Sequence, residues 1–207
     1  MKRTLWDAVI FDYGRVLSSS PSREELAVLA KVTGVSESTF FDLYSDTRDH
    51  YDRGEADYKQ HWQQFAEAAE VEISRQAVEQ AVTLESEIWT QANCETLKLA
   101  REIKASGTKI AILSNMPFDL LGELRNKFDW LKEFDVLTWS CELGIIKPDQ
   151  AIYQACLERL GCEAERALFF DDRPRNVEGA KRVGMEAHVF ESAAQARAIV
   201  RRGLNLR

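Results

Sequence analysis

The stretch Ala8-Val9-Ile10-Phe11-Asp12-Tyr13-Gly14-Arg15-Val16-Leu17 is an apolar run that stops on a carboxylate and turns at once into a glycine. Four consecutive apolar residues fit a strand buried on both faces, the kind found in a parallel sheet covered by helices. Asp12 then stands where that strand ends. In open α/β sheets the ligand crevice lies outside the carboxyl ends of the strands, so an acid at that point faces ligand rather than core. An Asp before a Gly also starts turns that have no chemistry. The case for Asp12 therefore depends on what the rest of the chain brings to the same edge.

Beyond Leu17 the texture changes. Ser18 to Ser22 reads as a Ser/Pro linker, and from there to about Trp89 the pattern is helical with no strand-like run. Ser22 is placed to cap a first helix that Gly34 stops, and Ser36 or Ser38 to cap a second carrying Phe40, Phe41, Leu43 and Tyr44. Arg53-Gly54-Glu55 is a break. Tyr58, Trp62, Phe65 and Ala66 then recur at spacings of three and four, an amphipathic face, and Ser74 caps a further helix through Ile88. Several short helices in succession, following a strand that needs a sheet around it, predict a helical cap inserted at residues 18–89. The remainder, 1–17 and 90–207, is the α/β core.

In that remainder strands and helices alternate. A helix at 96–105 leads to the buried run Lys109-Ile110-Ala111-Ile112-Leu113, which ends on Ser114 and Asn115. Pro117 suits the first turn of a helix through Leu124, and residues 134–138 form a weaker third strand. Lys147-Pro148 precedes a helix at 149–160 closed by Gly161. Ala167-Leu168-Phe169-Phe170 is a fourth strand, ending like the first on acid, at Asp171-Asp172. A helix at 176–183, a strand at 187–190 and a helix at 193–202 complete the chain. This alternation predicts a Rossmann-like parallel five-stranded sheet with right-handed crossovers and helices on both faces.

Asp12, Ser114-Asn115, Lys147 and Asp171-Asp172 all fall just past strand ends or at helix starts, positions that open on one edge of a parallel sheet. Three carboxylates with one lysine and one hydroxyl make an unfavourable group unless something offsets the negative charge. Mg²⁺ is the hard cation that oxygen ligands and a phosphate share. It would relieve repulsion between Asp12 and an incoming phosphate dianion.

These residues resemble the motifs of the haloacid dehalogenase-like hydrolases, in order and over nearly the whole chain. They are Phe11-Asp12-x-Gly14-x-Val16, Leu113-Ser114-Asn115, Lys147-Pro148 with Ile152-Tyr153, and Phe169-Phe170-Asp171-Asp172 with Asn176. That family also usually carries its helical cap after the first motif. The pairing of Asp-x-Gly with Asp-Asp-x-x-x-Asn is similar to bacterial sugar-phosphate phosphatases, a glucose-1-phosphate phosphatase among them. The resemblance implies that Asp12 attacks phosphorus to form an aspartyl-phosphate, which water then hydrolyses. It implies that Ser114 and the Asn115 backbone bind phosphate oxygens and that Lys147 offsets charge. Asp172 is then the principal metal-binding acid, with Asp171 beside it, the Gly14 carbonyl as a further ligand and Asn176 in support.

At Gly14 the chain departs from the usual phosphatase pattern, which has a second Asp there as general acid and base. Loss of such a group costs about 10²- to 10⁴-fold. Either the leaving group is already stabilised, as in an anomeric or acyl phosphate, or an acid comes from the cap, where His50, His61, Asp49 and Glu55 are candidates. Arg15, Arg48 and Arg53 are candidates to meet substrate, and Trp62, Trp89, Trp130 and Trp139 to pack. A dehalogenase of the same fold needs no acid at Gly14, but the Asp171-Asp172 pair makes better sense with a cation. A binding or regulatory domain with the same fold is a third reading, opposed by the intact Asp12, Ser114, Lys147 and Asp172.

Composition narrows the field further. At 207 residues, with 45% hydrophobic and 29% charged content, the chain is long enough for a substantial core. A net charge of -7 with no long basic run argues against a nucleic-acid surface. Cys94, Cys141, Cys156 and Cys162 form no CxxC pair and read as free thiols. Asp7 and Asp12 interrupt the apolar stretch that follows Lys2 and Arg3, which does not suit a signal peptide, and no stretch approaches a membrane span. The expected setting is cytoplasmic, the expected partner a small phosphorylated molecule, and the expected state a monomer or homodimer.

Overall fold

In the computed structural model, which describes residues 5–204, the first strand is Ala8–Phe11 (β1), with all four residues buried. The reading that rests on Lys2 and Arg3 lies outside the described residues. After β1 come five helices: Arg23–Thr33 (α1), Glu37–Leu43 (α2), Asp49–Asp52 (α3), Tyr58–Ala68 (α4) and Arg75–Trp89 (α5). Cys94–Ala105 (α6), Lys109–Ser114 (β2), Phe118–Lys127 (α7), Val136–Trp139 (β3), Ser140–Leu143 (α8) and Gln150–Leu160 (α9) follow. The chain then continues through Ala167–Asp171 (β4), Pro174–Arg182 (α10), Glu186–Val189 (β5) and Ala193–Val200 (α11).

The five strands form one parallel sheet in the order β3-β2-β1-β4-β5. Alternation along each strand divides the apolar side chains between two faces. Val9, Phe11, Ile110, Ile112, Leu168 and Phe170 pack with residues of α6, α7 and α11, while Ala8, Ile10, Ala111, Leu113, Ala167 and Phe169 pack with residues of α9 and α10. Both faces are therefore covered, and the continuous apolar runs are the consequence. Phe11 lies between Ile112 and Phe170 in register. Asp12, Ser114 and Asp171 accordingly emerge together at the strands' carboxyl edge.

The helices between β1 and α6 have a core of their own, built from residues such as Leu29, Phe40, Trp62, Phe65 and Ile88. Their starts follow the capping signals. Ser22 and Glu25 form a reciprocal capping box on α1, Ser36 caps α2, Asp57 and Gln60 box α4, and Ser74 caps α5. The chain leaves and rejoins the sheet unit at one place, where Ser18 and Ala92 form an antiparallel bridge and the Asn93 N–H donates to the Leu17 carbonyl at 2.8 Å. Trp62 and Trp139 are fully buried, and Trp89 and Trp130 pack against the core, as expected of packing residues.

Where boundaries differ from expectation, local chemistry accounts for it. α10 starts at Pro174 rather than two residues later, because proline's fixed φ suits the first helical turn. β3 begins at Val136, since Phe134 packs into the core while the Asp135 carboxylate accepts from the Ile110 N–H at 2.9 Å. The single-turn helices α3 and α8 are too short for periodicity to register.

Gly54, just past α3, has φ +75°, and a Cβ there would stand 2.5 Å from a Phe118 ring carbon and 3.0 Å from the Cys141 carbonyl oxygen. Gly54→Ala is thus expected to cost about 1–3 kcal/mol. A lowered urea midpoint at unchanged slope is the measurement that shows it.

Candidate active site

Lys147 is 1% exposed, and its ammonium sits between two acids, 2.8 Å from Asp12 Oδ1 and 2.6 Å from Asp171 Oδ2. A third bond, at 3.0 Å, goes to the Leu113 carbonyl, so all three donors are used. The backbone is held as well: the Lys147 N–H donates to Asn115 Oδ1 at 2.7 Å and Asn115 Nδ2 donates to the Lys147 carbonyl at 3.1 Å. Asn115 therefore spends its side chain on placing the lysine. Its backbone remains the part available for a ligand.

Asp12 caps the turn at Tyr13–Leu17, its Oδ1 accepting from the Tyr13 N–H at 2.7 Å, while its own N–H donates to the Phe170 carbonyl. Asp171 is fully buried and saturated: it accepts from Lys147, from Asn176 Nδ2 at 3.0 and 3.1 Å, and from the Arg173 N–H at 2.8 Å. Asn176 is positioned in turn through its carbonyl, which accepts from the Tyr153 hydroxyl. Asp172 differs from its neighbour. Its side chain is 18% exposed and its nearest ion-pair partner is Arg15, at 3.8 Å. It is thus the acid with oxygen valence to spare.

Carboxylate oxygens of Asp12, Asp171 and Asp172 lie within 4.8 Å of one another. Burial pushes the Asp12 carboxyl up to about 7, Lys147 opposes that shift, and Asp171 and Asp172 add to it. Asp172 is raised too, first by burial and then by Asp171. One ammonium does not balance three carboxylates, and the donor set is entirely oxygen. Those two facts fit a hard divalent cation.

One cavity is lined by Asp12, Gly14, Ser114, Asn115, Lys147, Asp172 and Asn176 from the sheet edge. Asp171 supports it from behind. Arg15, Arg173, Met116, Pro117 and Leu120 complete the core side, and Tyr44, Ser45, Arg48, Asp52 and Trp89 come from the helical insert. Arg48 is nearly buried: it pairs with Glu85, which also accepts from the Tyr44 hydroxyl at 2.6 Å, and it lies over the Tyr44 and Tyr51 rings. Arg53 pairs with Asp49 outside the cavity.

None of the four proton donors expected from the insert lines this cavity. His50 is exposed and bonded to Glu55 at 2.6 Å. His61 is buried and stacked on Tyr51, and burial pushes its imidazole down to about 4, which leaves it neutral near pH 7. The acid that does reach the cavity is Asp52, on the short helix α3. Its spacing of four from Arg48 is the one signal in the sequence that puts both on one helix face.

A family model described as haloacid dehalogenase-like hydrolase matches residues 4–184. Phosphatase MT3486 of Mycobacterium tuberculosis (strain CDC 1551 / Oshkosh) is 31% identical over 139 residues, a stretch covering 67% of this chain and 64% of that protein. Among solved structures, the HAD family enzyme bt-2542 of Bacteroides thetaiotaomicron in its magnesium complex superposes with a TM-score of 0.73 at 17% identity, over 90% of this chain and 94% of that one. The L-2-haloacid dehalogenase of Xanthobacter autotrophicus with chloropropionic acid covalently bound superposes at 0.67 with 19% identity, over 95% and 83%. At such identities both likenesses concern the fold. No helix among the described residues is long and apolar enough to cross a membrane.

Proposed function

As this chain belongs to the haloacid dehalogenase-like hydrolases, we propose that it is a Mg²⁺-dependent phosphatase acting on a small phosphorylated metabolite, a sugar phosphate being the leading class. The observation that carries the reading is the surplus of acid at the sheet edge. Asp12, Asp171 and Asp172 converge on one point with a single lysine among them. A haloacid dehalogenase attacks carbon without a cation and has no use for that surplus.

In this reading Asp12 is the nucleophile. Lys147 and the Tyr13 N–H both hold its Oδ1, so the other oxygen, Oδ2, is the one left to attack phosphorus. Ser114, at the end of β2, and the Asn115 backbone receive phosphoryl oxygens, and Lys147 offsets charge on nucleophile and phosphoryl group. Asp12, Asp172 and the Gly14 carbonyl would hold the cation, with Asp171 fixed behind them by Lys147 and Asn176. When bound, Mg²⁺ supplies charge neutralisation between carboxylate and phosphate. Residues 18–89 act as the cap, whose Tyr44, Arg48, Asp52 and Trp89 close the cavity over the substrate and exclude water.

Phosphate release from sugar, nucleotide, acyl and aryl phosphates, with Mg²⁺ or with chelator, tests the reading. Turnover that needs Mg²⁺ and stops with chelator is the expected result. Metal-independent halide release from 2-haloacids, with no phosphate release from any ester, would overturn it in favour of a dehalogenase.

A further inference from the structure

Cleavage of an alkyl phosphate monoester needs a proton at the leaving-group oxygen, and the turn after Asp12, Tyr13–Leu17, carries no carboxyl to supply it. The residue two positions on is Gly14, where a Cβ would meet only Trp89, at 3.7 Å. That space is open to the cavity. Among the residues that the insert contributes to the cavity lining, one carries a carboxyl, Asp52. Its side chain is 14% exposed, and its Oδ1 is buried and accepts no hydrogen bond among the described residues, the Arg48 guanidinium standing 3.5 Å away. A buried oxygen with an unused acceptor site has reason to hold a proton.

The position of Asp52 is fixed from the core. Ser140, at the start of α8, donates from its Oγ to the Asp52 carbonyl at 2.5 Å and accepts at the same oxygen from the Met116 N–H at 2.8 Å. Met116 follows Ser114-Asn115 directly. One hydroxyl therefore ties the backbone of Asp52 to the loop expected to hold the phosphate.

We propose that Asp52 is the general acid and base of this site, carried on the insert in place of the residue missing at Gly14. The assignment rests on the phosphatase reading. In the first step Asp12 Oδ2 forms a bond to phosphorus as the bond to the leaving-group oxygen breaks, and that oxygen takes the proton from Asp52. The products are an alcohol, an aspartyl-phosphate and the Asp52 carboxylate. In the second step water adds to phosphorus, its proton passes to Asp52, and the bond from phosphorus to Asp12 breaks. Inorganic phosphate leaves, with Asp12 a carboxylate and Asp52 an acid again. The electrostatics suit both halves. Burial raises the Asp52 pKa with help from Glu85 and Asp49, which favours the proton-holding form, while Arg48 and Arg173 pull it back and favour the carboxylate.

The test compares wild type with Asp52→Asn and Asp52→Glu on an alkyl phosphate and on 4-nitrophenyl phosphate, whose leaving group needs no proton. For Asp52→Asn, kcat/KM on the alkyl ester is expected to fall about 10²- to 10⁴-fold. On the aryl ester kcat/KM holds, but kcat falls: a burst of nitrophenolate is followed by slow turnover while aspartyl-phosphate accumulates. Asp52→Glu recovers part of the alkyl activity. Equal losses on both esters, or no loss on the alkyl ester, would refute the assignment while leaving a phosphatase. A wild-type protein that cleaves neither ester would remove the phosphatase reading itself, and Asp52's role with it. Matching thermal midpoints for the three proteins separate these outcomes from misfolding.

Discussion

Asp12→Asn is expected to lower phosphate release by about 10⁴-fold or more, the scale of losing a covalent nucleophile, and at the same time to make the metal-free protein more stable. The two effects have one origin. Asp12 is 7% exposed and its carboxyl is pushed up to about 7 from 3.8 in the unfolded chain. For an acid raised on folding, the native state holds the proton longer, so stability is greatest below the unfolded value and drains away as pH rises towards 7. Asparagine has no such dependence and keeps an oxygen for the Tyr13 N–H and Lys147. Above about pH 7 the variant should therefore exceed wild type by an order of 1–4 kcal/mol in urea unfolding with chelator present. Added Mg²⁺ should narrow the gap, because only the wild type regains a counterion for all three acids. A variant that is inactive and also less stable at every pH would show that the Asp12 charge is already compensated, and the argument for a cation would fall with it.

Lys147→Met removes the one buried cation that touches two acids. Asp12 and Asp171 then face each other across the site with no ammonium between them, and the Leu113 carbonyl loses its donor. Breaking a buried pair from one side costs about 3–5 kcal/mol, a large fraction of the 5–15 kcal/mol that holds a domain of this kind together. The expected result is a fall of that size in chelator, partly restored by Mg²⁺, with phosphate release lost under both conditions. Lys147→Arg is not a mild substitute. The planar guanidinium is bulkier than an ammonium, and Lys147 is itself 1% exposed, with its ammonium already held by Asp12, Asp171 and the Leu113 carbonyl. A loss below about 1 kcal/mol for Lys147→Met would mean that the lysine is no structural counterion.

The sheet and its acid edge are legible in the sequence because each functional residue is tied to something periodic or punctuated. Asp12 and Asp171 end apolar runs, Ser114 ends another, and Lys147 precedes a proline and a helix closed by Gly161. Backbone pattern alone then brings them to one edge. The helical insert is legible for the same reason, through Ser22, Gly34, Ser36 and Ser74. What the sequence does not disclose is the direction of side chains on elements too short to have a period. Asp49, His50 and Glu55 surround Asp52 within a few residues, yet only Asp52 enters the cavity, because a single turn of helix and the left-handed Gly54 set its orientation. Nor does it disclose that Asn115 clamps Lys147 rather than reaching forward with its side chain. That depends on two loops meeting, and neither carries a local signal of the other.

The middle position of β1 has a consequence for how the chain reaches this state. Ala8 is in register with Lys109 on one side and with Ala167 on the other, so the earliest strand made is the one that waits longest for its neighbours. During synthesis Ala8-Val9-Ile10-Phe11 emerges as an apolar segment with neither edge paired, and the helices of the insert, with their own apolar cluster, are complete before β2 exists. The order of synthesis constrains assembly: the helices of the insert are made first, then β2, and only after β4 has been made can the central strand acquire its second edge. Contacts so distant along the chain are slow to form. Until they do, the turn that begins at Asp12 has no Phe170 carbonyl to anchor it, and the site's acids come together only when nearly all of the sheet has assembled.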